Sequence, residues 1–310
     1  MNAARKSLTI SLCLFSSCCM GMSAFAQTAP AQIATDLPEA PAPVVATENA
    51  QLTAPPEFFA GFGKAGTAAQ TQMPGVDSTT GVPQREATWR SMPGDFLHDQ
   101  KDLWTFPIRL FKGHAVIPTA LVVGGTIGLI YSDPHTAPYF RNHQKNLDKV
   151  NDVFDPMITT AEVIALPAGL LTAGYIRHDK REVNTALLAA EAYGDSVIIN
   201  LAIKAATRRQ RPSDVPPDGD FGNTFFNGGK SPLHGSSFPS GHATAVWSVA
   251  TVVAERYRHR GKPWIPILSY SLATAISFSR ITESAHFASD VWMGASLGYS
   301  IAKFQTLKPR

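Results

Sequence analysis

Residues 238–257 read FPSGHATAVWSVATVVAERY, a Pro-Ser-Gly-His start followed by an apolar stretch of helical length. Serine is a favoured helix N-cap, and a glycine directly after it lets an anion approach the free backbone amides of the first turn. Ser240 is therefore predicted to cap a helix that runs to Tyr257, with His242 held beside whatever binds at Gly241. Taken alone, this stretch also fits an ordinary capped helix with a surface histidine.

Five other apolar stretches of helical length follow the same pattern, at 115–131, 159–176, 185–206, 264–279 and 286–304. Connectors rich in helix breakers or charges separate them, such as Ser132-Asp133-Pro134. Strand patterns are scarce, so the sequence predicts an all-α fold, a six-helix bundle. Soluble and membrane bundles remain alternatives, because both bury small and aliphatic residues between helices.

The chain before these stretches has a different composition. Arg5 and Lys6 precede an apolar segment that ends at Ala24-Phe25-Ala26, which is the layout of a secretory signal peptide. Residues 27–98 are rich in Pro, Ala, Thr, Gln and Gly and show no apolar period, which predicts a disordered tether. The predicted organisation is a signal peptide at 1–26, a tether at 27–98 and a helical domain at 99–310, in which 102–111 form a short surface helix.

Composition narrows the classes of function. The formal net charge is +3 and charged residues make up 16% of the chain, without a basic tail, so we expect no nucleic-acid partner. All three cysteines lie in the first twenty residues, which excludes a cysteine zinc site and a disulfide framework from the rest. Several Asp residues at 214–220 could indicate calcium, but their spacing does not complete an EF-hand loop, and we predict a solvated loop without a metal.

Two further motifs lie at predicted helix ends. Lys204-x6-Arg211-Pro212 places two cations about two helical turns apart, and Pro212 is predicted to end the helix. Ser279-Arg280-x5-His286-x3-Asp290 places a histidine and a carboxylate four residues apart, where the carboxylate can orient the imidazole. Alone, the first also fits a basic helix terminus that complements its own dipole, and the second fits a surface ion pair.

The three motifs become informative when they are combined. If consecutive helices alternate in direction, all three meet at one end of the bundle. Three cations, an amide nest and two histidines, one with a carboxylate partner, then form a site for a tetrahedral anion, with a nucleophile and an acid.

These motifs resemble the signature of the type 2 phosphatidic acid phosphatase and vanadium haloperoxidase superfamily over roughly residues 99–304. The resemblance implies the six-helix bundle of that superfamily. It implies that His286 attacks phosphorus and forms a phosphohistidine, that Asp290 orients His286, and that His242 protonates the leaving oxygen. It assigns the phosphoryl oxygens to five residues: Lys204, Arg211, Ser240, Gly241 and Arg280.

The resemblance predicts a phosphatase, without metal or other cofactor, that acts on phosphomonoesters or diphosphates of lipids or small molecules. A vanadium-dependent haloperoxidase using the same anion site is the alternative. The signal peptide predicts export to the bacterial cell envelope as a periplasmic or peripheral protein. The uncharged stretch at 115–131 keeps the alternative of an integral inner-membrane protein with an outward-facing site.

Overall fold

The computed structural model describes residues 85–228, 236–258 and 262–309, without the side chains of 148–150 and 158. The described residues form α-helices and no β-strand, which confirms the all-α prediction. The helices are α1 Met92–Trp104, α2 Phe106–Phe111, α3 Val116–Asn151, α4 Pro156–Arg177, α5 Lys180–Thr207, α6 Gly241–Tyr257, α7 Trp264–Thr282 and α8 Ala288–Ile301. The six predicted stretches correspond to α3–α8, and two more helices precede them.

The α3 helix is much longer than predicted. The Ser132-Asp133-Pro134 segment, which the sequence predicts as a connector, lies inside α3 together with Pro138. A proline in a helix removes one backbone hydrogen bond and favours a break. Here tertiary contacts oppose the break, because the buried Asp133 carboxylate accepts hydrogen bonds from Arg209 and Ser289.

Ordered structure also begins earlier than the predicted boundary at residues 98–99. That boundary falls inside α1, and Arg85 is already buried, with Nη2 donating to Glu191 Oε1 at 2.7 Å. The Ala87 amide donates to Asn184 Oδ1 at 2.9 Å, which fixes this segment against α5. The predicted signal peptide and most of the predicted tether lie outside the described residues.

The core brings α6 and α8 into close backbone contact. A Cβ on Gly294 would lie 2.6 Å from the Ser240 carbonyl oxygen, and a Cβ on Gly298 would lie 2.2 Å from the Thr244 carbonyl oxygen. Both distances are far below van der Waals contact, so only glycine fits. This approach joins the first turns of the two helices, where the Ser240 amide donates to the Asp290 carbonyl oxygen at 2.9 Å.

Three helical segments are long and apolar enough to cross a membrane, Val116–Leu147, Thr159–Arg177 and Lys180–Asp214. Only 11% of the apolar window of the first and 17% of that of the second are buried inside the protein. Exposed apolar side chains in such numbers mark an interaction surface, and on helices of this length a bilayer is the solvent that fits them.

Candidate active site

The structure brings the three predicted motifs together at one end of the helices. Lys204 Nζ donates to the Ser236 carbonyl oxygen at 2.6 Å, which joins α5 to the segment before α6. That segment in turn contacts the loop between α7 and α8, because His286 Nδ1 lies 2.8 Å from the Ser237 carbonyl oxygen. The end of α5, the start of α6 and the start of α8 therefore form one site.

His286 is the centre of this site, with 5% of its surface exposed. Because a carbonyl oxygen only accepts, Nδ1 carries the hydrogen that Ser237 receives, and Nε2 keeps a lone pair. The Asp290 Oδ2 atom lies 3.6 Å from the same Nδ1. Burial, together with Lys204 and Arg211 nearby, lowers the pKa of His286, so that the imidazole is neutral at pH 7 and Nε2 can act as a nucleophile.

Two arginine side chains offer buried N–H groups to an anion. Arg211 Nε and Arg280 Nη1 are both buried and have no hydrogen-bond partner within the described ranges. Buried donors without a partner are rare in folded proteins, and oxyanions are good acceptors for guanidinium groups. Another nitrogen of the same guanidinium group holds the Arg280 side chain in place, because Nη2 donates to the Phe154 carbonyl oxygen and to Glu283 Oε1.

The start of α6 confirms the predicted cap. Ser240 lies at the N-cap of α6, and its side chain accepts a hydrogen bond from the Ala243 amide at 3.4 Å. A Cβ on Gly241 would lie 3.9 Å from Lys204 Cε, so the glycine faces the predicted phosphate-binding lysine. The start of α6 and the Lys204 side chain are therefore neighbours, and both favour negative charge nearby.

His242 points toward α4. Its Nε2 atom lies 3.1 Å from Thr160 Oγ1 and 3.3 Å from the Pro156 carbonyl oxygen. Burial, with Arg280 and His286 nearby, lowers the pKa of His242 to about 4. His242 is therefore neutral at pH 7 as it stands, and it can donate a proton only when a bound dianion raises that pKa.

The segment after α5 differs from its predicted geometry. The helix ends at Thr207, and Arg208 adopts a left-handed conformation with φ of 41°, so Arg211 does not continue the helical face of Lys204. Backbone hydrogen bonds hold the segment instead, from Gln210 N to the Thr224 oxygen at 2.8 Å and from Ser237 N to the Arg209 oxygen at 2.7 Å. The loop, rather than the helix, places Arg211.

Comparison with known protein families finds a match in the part of the chain that contains all three motifs. Residues 185–308 match the PAP2 superfamily. The match covers these residues and does not include α1–α4.

Two proteins that are similar to this chain are phosphatases by name. A lipid A 1-phosphatase from Porphyromonas gingivalis is 35% identical over 68 residues, which are 22% of this chain and 15% of that protein, so the match spans a small part of that relative. A transmembrane PAP2 type phosphatidylglycerolphosphate phosphatase from Bacillus subtilis has a crystal structure that is similar at 17% identity. The match covers 69% of this chain and 92% of the Bacillus subtilis chain, with a TM-score of 0.37.

Sequence reasoning missed two buried side chains of the candidate site. Arg209 has 1% of its surface exposed and donates to the Asp290 carboxylate at 2.6 Å. Asn200 Nδ2 donates to Thr244 Oγ1 at 2.9 Å and so joins α5 to α6. Arg209 lies in the unspecified part of Lys204-x6-Arg211, and no pattern distinguishes it there from its neighbours.

Within the described residues, a group of carboxylates lies close enough together to share an ion. It lies in α1 and α5 and consists of Asp99, Glu191 and Asp195. Arg85 donates to Glu191 at 2.7 Å and lies 3.4 Å from Asp99, so this cluster already contains a cation.

Glu283 makes the anion affinity of the site depend on pH. Burial raises the pKa of Glu283 to about 7, although the nearby Arg280 guanidinium opposes the rise. Above that pH the Glu283 carboxylate is ionised and, at 2.9 Å from Arg280 Nη2, competes with a bound anion. In Glu283→Gln we expect phosphate to inhibit two- to fivefold more strongly than in the wild type at about pH 8, the effect of an ion pair worth about 0.5–1 kcal/mol.

The same comparison at about pH 5.5 is the control, because wild-type Glu283 is then protonated and resembles glutamine. Inhibition constants for inorganic phosphate, measured on both proteins at both pH values, check the prediction. A ratio between the two proteins that does not change with pH contradicts it.

Proposed function

We propose that the protein is a metal-independent phosphatase that hydrolyses phosphomonoesters or diphosphates through a phosphohistidine at His286. The observation that carries the proposal is the state of His286. Its Nδ1 donates to the Ser237 carbonyl oxygen, so the lone pair of Nε2 stays available beside buried arginine donors. The six longer helices then serve as the bundle of the acid phosphatase and haloperoxidase type, with the site at one end.

The residues account for each step of the reaction. Lys204, Arg211 and Arg280 neutralise the phosphoryl oxygens, and the start of α6 at Ser240 and Gly241 adds backbone donors. The Nε2 lone pair forms a bond to phosphorus while the bond from phosphorus to the leaving oxygen breaks, and His242 gives that oxygen a proton. Water then attacks phosphorus and gives a proton back to His242, while the bond between phosphorus and Nε2 breaks. Inorganic phosphate leaves, and Nε2 regains its lone pair.

Asp290 stabilises the positive charge that the His286 ring acquires during phosphoryl transfer. Its Oδ2 atom lies 3.6 Å from Nδ1, and its carboxylate is fully buried. In a site of low dielectric, such a carboxylate lowers the energy of the charged ring more than it could in water. The cations of the site offset the substrate charge, which is why we propose no metal for the reaction.

A lipid phosphate is the substrate class that the surface supports best. The apolar helices α3 and α4 fit an integral membrane protein, and a relative is named for the phosphate of lipid A. Soluble substrates that the motifs also allow, such as sugar or aryl phosphates, share the phosphoryl group and would occupy the same donors.

Phosphate release from a short-chain phosphatidic acid and from an aryl phosphate, measured with EDTA present, tests the proposal. We expect turnover of both substrates in EDTA. We also expect inhibition by vanadate, because vanadate resembles a phosphoryl group during its transfer. Turnover that requires added Mg²⁺ contradicts the metal-free mechanism. Halide oxidation with peroxide and vanadate, without phosphate release, would instead favour the haloperoxidase.

A further inference from the structure

We propose that Arg209 and Asp133 are positioning residues that hold Asp290 in the orientation His286 needs. The inference rests on the proposed phosphatase function. It concerns a buried cluster that joins Asp290 to three residues that the motifs do not specify. We call it the Arg209 cluster, and it consists of Asp133, Arg209, Ser289 and Asp290.

Arg209 joins two carboxylates from different helices. Its Nη1 atom lies 2.6 Å from Asp290 Oδ1 at the start of α8, and its Nη2 atom lies 2.8 Å from Asp133 Oδ2 in α3. The guanidinium lies over the Phe287 ring, 3.9 Å from the centroid, with Phe225 at 4.6 Å. A planar fork held between two rings cannot turn without losing both carboxylates, so it fixes one relative to the other.

Asp290 has both carboxylate oxygens committed by this arrangement. Oδ1 receives Arg209, and Oδ2 receives the Phe287 amide at 2.8 Å. The plane of the carboxylate is therefore set, and the remaining capacity of Oδ2 faces His286 Nδ1. Burial alone would raise the pKa of Asp290, but Arg209 and His286 lower it overall, so the carboxylate stays ionised.

Asp133 anchors the cluster from α3. Its Oδ2 also accepts the Ser289 hydroxyl at 2.5 Å, and Arg209 Nη1 donates to the same hydroxyl oxygen at 2.6 Å. Ser289 precedes Asp290 in the chain, so Asp133 fixes the first turn of α8 from two directions. Asp133 thus joins α3 to Asp290 through Arg209 and to the first turn of α8 through Ser289.

Asp133→Asn and Arg209→Lys test the proposal. Asp133→Asn keeps the volume of the side chain and Arg209→Lys keeps its charge, but each loses the charged contact of one guanidinium group with two carboxylates. We expect the kcat per vanadate-titrated site to fall by about 10- to 100-fold, the range known for outer-shell partners of metal ligands. The KM and the vanadate affinity should stay within twofold, since Lys204, Arg211 and Arg280 are untouched.

The pH profile distinguishes positioning from folding. The charged and titratable groups near His286 come from α5, α6, α7, α8 and the segment after α5. They are Lys204, Arg211, His242, Arg280 and Asp290. Loss of a well-placed carboxylate makes the imidazolium less stable, so the acidic limb of the kcat/KM profile should move to lower pH in both variants. Asp195→Asn removes an equally buried carboxylate in α5 and is the matched control, with an unchanged profile expected.

Each outcome bears on one proposal. A wild type that releases no phosphate overturns the proposed function, and with it the basis of this inference. An active wild type whose two variants keep its kcat per titrated site and its pH profile overturns the inference alone. Vanadate affinity that falls as much as kcat also overturns it, because the cluster would then build the anion site rather than orient Asp290.

Discussion

Replacing His286 with alanine is expected to lower phosphate release by at least about a thousandfold while the protein stays folded, as when a nucleophile is removed from a catalytic unit. Alanine removes Nε2, the ring nitrogen with an available lone pair, and leaves the arginine donors in place. Initial rates with an aryl phosphate, compared at equal amounts of folded protein, check the loss. Vanadate should still bind to the variant, although more weakly.

The covalent intermediate gives a second measurement on the same variant. Wild-type protein quenched in alkali during turnover of a labelled aryl phosphate should carry label on one histidine, and His286→Ala should carry none. His98→Ala is the matched control, since the His98 side chain is 58% exposed on α1, and it should keep both turnover and label. Turnover of His286→Ala within tenfold of the wild type would refute the mechanism.

Helix boundaries were predictable where local signals and packing agree. Helix α6 spans Gly241–Tyr257 with Ser240 as its N-cap, as predicted, because a serine cap and an apolar stretch without breakers both favour that helix. Helix α3 was mispredicted because its interior prolines are local break signals. The contacts that oppose the break join Asp133 to Arg209 and Ser289, which are distant in sequence.

In the candidate site, too, some residues are predictable from the sequence and others depend on contacts in the folded chain. Residues that would contact the phosphate belong to the three motifs, because binding an anion needs those residue types at fixed spacings. The structure brings these motifs together. Arg209 contacts the Asp290 oxygen that does not face His286. Residue 209 is an unspecified position of Lys204-x6-Arg211, so any side chain there satisfies the motif. Its importance depends on burial between Phe225 and Phe287, which only the folded chain reveals.

The close contact of α6 and α8 predicts a large loss of stability from a substitution that lies outside the three motifs. Gly298→Ala is expected to destabilise the fold by about 2–3 kcal/mol, at the upper part of the range for overpacking, because its Cβ would meet the Thr244 backbone oxygen at 2.2 Å. Backbone atoms cannot move aside as a flexible side chain does, so α8 must shift. The shift carries Asp290 and the Ser240 contact with it, and we expect kcat to fall as well.

Gly128→Ala is the matched control, because a Cβ at Gly128 in α3 meets no atom within 4 Å. The control should unfold at or slightly above the wild-type temperature, since alanine favours a helix over glycine by about 1 kcal/mol. Thermal unfolding in detergent and phosphate release, measured on both variants, check the pair. If Gly298→Ala matched the control in both measurements, α6 and α8 would not be in the contact that places Ser240 beside Asp290, and the site would need another support.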